Sequence, residues 1–164
     1  AEASQVIAFS AVFGILGTVL AGWLSDRMFN GDRVKPAVLS GIISTSSLIL
    51  FLFVGGGFIL NIFYVSLFSL SVGVLYCIVA GLMAVDIVPR KATGAALGVV
   101  GISSYVAAGL QDITSGYLIQ GFTTQVEGVD IYDFGPVSWF WVLAAVASFV
   151  LPVLNWKKMT KKIN

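Results

Sequence analysis

The sequence predicts an all-α membrane protein of about five transmembrane helices, and three observations carry that expectation. The 164 residues are 58% hydrophobic and 10% charged, with a mean hydropathy of +0.98, values far from those of water-soluble domains. Fifty consecutive residues, from Pro36 to Val85, contain no Asp, Glu, Lys or Arg, which is room for two membrane spans. All nine basic residues fall at three places: Arg27, Arg33 and Lys35; Arg90 and Lys91; Lys157, Lys158, Lys161 and Lys162.

Five segments are apolar and long enough to cross about 30 Å of hydrocarbon at about 1.5 Å per residue: residues 5–24, 36–54, 59–85, 93–119 and 137–156. Gly55-Gly56-Gly57 separates the second from the third and suits a tight reversal, with Asn61 expected to cap the returning helix. Pro89 ends the third span, and Arg90 and Lys91 anchor the turn that follows. The fourth connection, residues 121–136, is polar and reads as a water-exposed loop, with Glu127, Asp130, Asp133 and a helix-stopping Gly135-Pro136. Five spans joined in this order put every basic cluster on one face. The positive-inside rule makes that face cytoplasmic, the C-terminus included, and places the first span's beginning outside. The sequence does not begin with Met and enters an apolar segment at once, so a fragment of a longer chain is expected.

Several chemistries find no support. Cys77 stands alone in an apolar run and reads as packing, and there is no histidine, so the usual metal ligand and proton shuttle are both missing. No nucleophile is paired with a base and no Gly-rich phosphate loop occurs. An enzyme, a cofactor, a metal and a nucleic-acid partner are therefore not expected; the lipid bilayer is.

Polar residues recur at helical spacing in two spans. In the fourth, Gly98, Gly101, Tyr105, Ala108, Asp112 and Ser115 form one stripe, and in the third Ser66, Ser69, Gly73, Tyr76, Ala80 and Met83 form another. The small residues suit helix packing in lipid, where apolar side chains supply no hydrophobic drive. Asp112 costs about 2.5–3.5 kcal/mol near mid-membrane even on the lenient insertion scale, so it must face a cavity or a partner; a neutral or paired structural Asp is the other reading. Tyr76, Tyr105, Gln111 and Asp112 are the candidate substrate contacts.

The first cytoplasmic loop, Gly22-Trp23-Leu24-Ser25-Asp26-Arg27-Met28-Phe29-Asn30-Gly31-Asp32-Arg33, resembles the loop signature of the major facilitator superfamily. Gly22 permits close helix approach, Asp26 stands at a helix end, and Arg27 and Arg33 can bond carboxylates or terminal carbonyls of neighbouring helices. With Lys35-Pro36, with Asp86-Ile87-Val88-Pro89-Arg90-Lys91-Ala92-Thr93-Gly94, and with Gly98, Gly101 and Tyr105, the chain resembles the organophosphate:phosphate antiporter family, whose members include glycerol-phosphate and hexose-phosphate exchangers and a related sugar-phosphate sensor. The resemblance implies the last five spans of a twelve-helix fold. It also implies exchange of an organic phosphate for inorganic phosphate by alternating access, with a substrate-contacting Tyr at Tyr105; a second such Tyr of the family falls at Val74 here. The family's phosphate-gripping basic residues lie on the first helix of each half, so missing N-terminal helices of the same protein would supply them. A cytoplasmic gating loop would comprise Gly22, Asp26, Arg27, Arg33, Asp86, Arg90 and Lys91. A sensor of the same fold, or a major facilitator transporter of another substrate, would share every one of these motifs.

Overall fold

The computed structural model describes residues 2–126 and 129–160; Glu127, Lys161 and Lys162 lie outside the described residues. The expected all-helical membrane fold is borne out. Helix α1 is Glu2–Trp23 and continues through a wider, π-helical turn at Leu24–Met28. Helix α2, Val34–Ile49, continues likewise through Leu50–Val54, and α3, Phe58–Tyr76, continues through Cys77–Met83 and Ala84–Asp86. A 3₁₀ turn, Arg90–Ala92, leads into α4, Thr93–Gly121, and α5 is Gly135–Thr160. Each of the five is long and apolar enough to cross a membrane, and a helix satisfies its backbone N–H and C=O groups there within its own segment, without water.

Glycine sets the tightest contact. Helices α1 and α3 make the most extensive helix pair, and they meet backbone to backbone. A Cβ built at Gly17 would fall on the Leu70 carbonyl oxygen, and one at Gly73 on the Gly14 carbonyl oxygen. Small residues at a crossing let dispersion contacts replace the hydrophobic drive that lipid cannot provide. Below this crossing Ala21, Ala37, Val74, Leu75, Ile78 and Met83 form the buried core. Helix α2 packs on α3, and α5 packs on α2, where the Phe149 ring occupies the space that a Cβ at Gly41 would need. Most large apolar side chains stay outside, among them Ile7, Ile15, Val19 and Ile102, as expected where the surrounding solvent is hydrocarbon.

Three local features differ from the sequence reading. Asn61 does not cap the first N–H groups of α3: its Nδ2 donates back to the Gly56 carbonyl at 3.3 Å, and the reversal rests on positive φ at Gly55 and Gly56 instead. Gly135-Pro136 opens α5 rather than stopping a helix, because the fixed φ and missing N–H of proline cost nothing in a first helical turn. The polar connection is a β-hairpin, with β1 (Thr123–Val126) antiparallel to β2 (Val129–Tyr132); Thr, Val, Ile and Tyr suit a pleated surface.

Helix ends sort into two layers. Contact between Arg33 and Asp86 places the α1–α2 loop beside the end of α3. At the other end the Phe53 and Trp139 rings, centroids 5.0 Å apart, join the close of α2 to the start of α5. We expect Gly73→Ala to force α1 from α3 at a cost of about 1–3 kcal/mol, lowering the thermal unfolding temperature of the detergent-purified protein. Gly22→Ala, where an added Cβ meets no atom within 4 Å, serves as the control. Equal unfolding temperatures would show that the crossing is looser than described.

Candidate functional site

One layer of the molecule carries a charge cluster, and Arg33 is its centre. Asp32 Oδ1 accepts hydrogen bonds from the backbone N–H groups of Val34 at 2.9 Å and Lys35 at 3.4 Å, which starts α2 and fixes the orientation of Arg33. The preceding turn passes through left-handed backbone at Asn30 and Gly31. From there Arg33 Nη1 donates to Asp26 Oδ1 at 2.8 Å and to Ser25 Oγ at 2.7 Å, while its Nε donates to Asp86 Oδ2 at 3.2 Å. One guanidinium thus ties the end of α1, the start of α2 and the end of α3 together, using a fork geometry that an ammonium lacks. Burial disfavours the charge on Arg33, but the hydrogen bonds and charges of Asp26 and Asp86 outweigh it and hold the group above its ordinary value.

The other residues expected in this loop stand apart from Arg33. Arg27 is exposed and takes no part in these pairs, and Arg90 and Lys91 are exposed on the 3₁₀ turn. A Cβ added at Gly22 would meet no atom within 4 Å, so the close helix approach expected there is not made within this chain. Ser25, fully buried and bonded to Arg33, had no assigned role in the sequence reading; a small hydroxyl between apolar Leu24 and charged Asp26 carries no periodic signal.

A cavity of about 500 Å³ lies between α2, α3, α4 and α5. Tyr76 from α3 and Gln111 from α4 line it, together with Ser44, Ser104, Trp141 and Ser148. No Lys, Arg, Asp or Glu is among its lining residues, and its remaining wall is apolar. Ser104 Oγ donates to the Val100 carbonyl at 2.8 Å, which frees its lone pairs to accept. Trp141 Nε1 donates to Ser115 Oγ at 3.0 Å and joins α5 to α4.

Tyr105 and Asp112 project elsewhere. They are seven residues apart and share a face of α4, but each follows by one position a cavity-lining residue, Ser104 and Gln111, and one position is about 100° around a helix. Tyr105 is 84% exposed and Asp112 is exposed. The structure therefore brings Tyr76 and Gln111 together at one cavity and leaves Tyr105 and Asp112 on an uncovered face.

The Arg33 cluster yields two expectations. Arg33→Ala should speed amide hydrogen exchange across residues 31–35 about fivefold, since partly exposed ion pairs contribute on the order of 1 kcal/mol, and Arg33→Lys should restore little of the loss. Unchanged exchange in both variants would mean the ties are not made. For Asp32, burial raises the carboxyl's proton affinity, but the backbone N–H groups of Val34 and Lys35 and the Lys35 charge lower it further. Its contribution to the loop is thus present at neutral pH and is lost only as pH falls below the ordinary Asp value of about 3.9. Asp32→Asn should raise exchange at residues 33–35 already at neutral pH and remove the acid-dependent step that Asp32 supplies; a pH profile identical to that of the unsubstituted protein would remove Asp32 from that account.

No family model matches the chain, and no solved structure matches it. Two curated relatives do. The chain is 32% identical over 112 residues to the glycerol-3-phosphate transporter of Bacillus subtilis, covering 66% of this chain and 25% of that protein. It is 34% identical over 95 residues to the phosphoglycerate transporter protein of Salmonella typhimurium, covering 56% of this chain and 19% of that protein. The chain thus spans a quarter or less of the length of these relatives. Five membrane-length helices and these two similarities support the resemblance: over more than half of its length the chain is homologous to proteins named as organophosphate transporters.

Proposed function

We propose that the intact protein is a secondary transporter that exchanges a small organic phosphate for inorganic phosphate by alternating access. The observation that carries this reading is the pair of relatives, both named as transporters of phosphate esters of three-carbon compounds. The site chemistry is compatible with it. Tyr76 and Gln111 offer a hydroxyl and an amide to the cavity, groups that can bond ester, hydroxyl and phosphate oxygens. A phosphate dianion also needs cationic partners in a low-dielectric site, and the cavity lining has none. Those cations would come from the preceding helices of the intact protein.

In this reading Tyr105 and Asp112 face the substrate pathway between the two halves of the protein. An ionised Asp112 repels a dianion, so it would lie toward the hydroxyl end of the substrate and tune selectivity. The tie of Asp26, Arg33 and Asp86 would act as a latch that favours one access state and opens in the other, with Arg27, Arg90 and Lys91 facing the cytoplasm by the positive-inside rule. In a bacterial cell the membrane concerned would be the inner one, with the C-terminus cytoplasmic.

Proteoliposomes containing the intact protein and loaded with inorganic phosphate test the proposal. Uptake of glycerol 3-phosphate should depend on internal phosphate, and uptake without it would sink exchange. Failure to take up any phosphate ester would sink transport itself. Gln111→Leu and Tyr76→Phe should raise KM several-fold, consistent with loss of one hydrogen bond of about 0.5–1.5 kcal/mol each. Asp112→Asn should alter competition among organic phosphates more than it alters affinity for inorganic phosphate, and an unchanged profile would remove Asp112 from the site. Disrupting the latch with Asp26→Ala should lower flux several-fold, given coupling energies of roughly 1–3 kcal/mol.

A further inference from the structure

We propose that the β1–β2 hairpin is a membrane-surface anchor that lays the Val129 and Ile131 face into the lipid headgroup layer. The register divides the hairpin into two unlike faces. Thr123 lies opposite Tyr132 and Gln125 opposite Asp130, and these four share one face, because paired residues project together and faces alternate along each strand. Thr124, opposite Ile131, shares the other face with Val129. The first face is held polar by the hydrogen bond from Gln125 Nε2 to Asp130 Oδ1 at 2.9 Å. On the second, Val129 is 64% and Ile131 51% exposed, so two β-branched apolar side chains stand uncovered within three residues.

Helix length places this face at the level of the lipid headgroups. From Arg90 to Gly121 the chain is helical over 32 residues, about 48 Å at about 1.5 Å per residue. A bilayer with its headgroup layers is about 40–45 Å thick, and a modest tilt of about 20° closes the difference. With Arg90 and Lys91 in one headgroup layer, the end of α4 reaches the other, and β1 begins two residues later. The side chains around the hairpin agree: Tyr117 and Trp139 are each more than half exposed, and Tyr and Trp rings gather where the bilayer meets water. The hairpin joins the ends of α4 and α5 at that level. The occupant of its apolar face is the bilayer surface, and the hairpin fixes the height of both helix ends in the membrane.

The test uses nitroxide labels on the intact protein in phospholipid nanodiscs, in a Cys77→Ser background, with Val129→Cys, Asp130→Cys and Ile131→Cys examined singly. Collision with oxygen, which concentrates in lipid, should exceed collision with a water-soluble nickel chelate several-fold at 129 and 131, and the order should reverse at 130. Equal access of nickel to 130 and 131 would overturn the proposal by placing the hairpin in water. Exclusion of both reagents from 129 and 131 would overturn it by showing that protein covers this face. None of these outcomes depends on transport, so the result stands apart from the exchange proposed above.

Discussion

The crossing of α1 and α3 is the contact on which the rest of the chain is arranged. In water, two apolar helices are driven together by release of ordered solvent; in hydrocarbon they are not, and association must come from close dispersion contact. Gly17 and Gly73 allow that contact, since the two backbones meet where their side chains would stand. With α1 and α3 fixed, Tyr76 is set three residues beyond the crossing as part of the cavity wall. Asp86, at the far end of α3, is brought beside Asp26 at the end of α1. Arg33 can then reach both carboxylates at once, at 2.8 and 3.2 Å. A backbone contact made by missing side chains is thus what allows a charge cluster more than a helical turn away to form.

Charge is segregated accordingly. Ion pairs among the described residues lie in the α1–α2 loop and at the end of α3, where water and headgroups can solvate their outer sides. The cavity is lined by hydroxyls, an amide, an indole and apolar carbon. Such a lining can orient a polar solute through hydrogen bonds, but it cannot neutralise a dianion, whose desolvation costs several kcal/mol even in relaxed protein interiors. In the proposed reading the cavity and the Arg33 tie would shape and gate a pathway, and the cations that balance an anion would come from other helices of the intact protein. That division matches a chain spanning a quarter or less of its relatives' length.

How much of this could be read from sequence depended on the physical signal each feature leaves. Hydropathy sums over about twenty residues, so five helices were legible before any contact was known. The Arg33 cluster was legible as a set of charges near helix ends, though which arginine makes the ties was not, because Arg27 and Arg33 differ only in where the turn at Asn30 and Gly31 points them. The β-hairpin was missed since two strands of four residues leave little periodicity, and acidic residues at 127, 130 and 133 made the segment read as loop. Gly135-Pro136 was read as a stop because the same pair marks either boundary of a helix, and only the direction of the chain beyond it decides. Ser25 was passed over because burial of a single hydroxyl is determined by its partner, not by its neighbours in sequence.

Helix α4 shows the same limit with the most consequence. Spacing of three and four puts Tyr105 with Asp112, and equally puts Ser104 with Gln111; periodicity defines both stripes and ranks neither. In the fold, Ser104 and Gln111 take the cavity and Tyr105 and Asp112 take the uncovered side. No residue of α4 is fully buried, and an added Cβ would meet nothing within 4 Å at Gly94, Gly98, Gly101, Gly109 or Gly116. Among the described residues α4 is tied to α5 by the hydrogen bond of Trp141 to Ser115. Turning α4 by one residue's rotation, about 100°, would exchange which polar stripe meets the cavity, so the sequence pattern is satisfied by either facing.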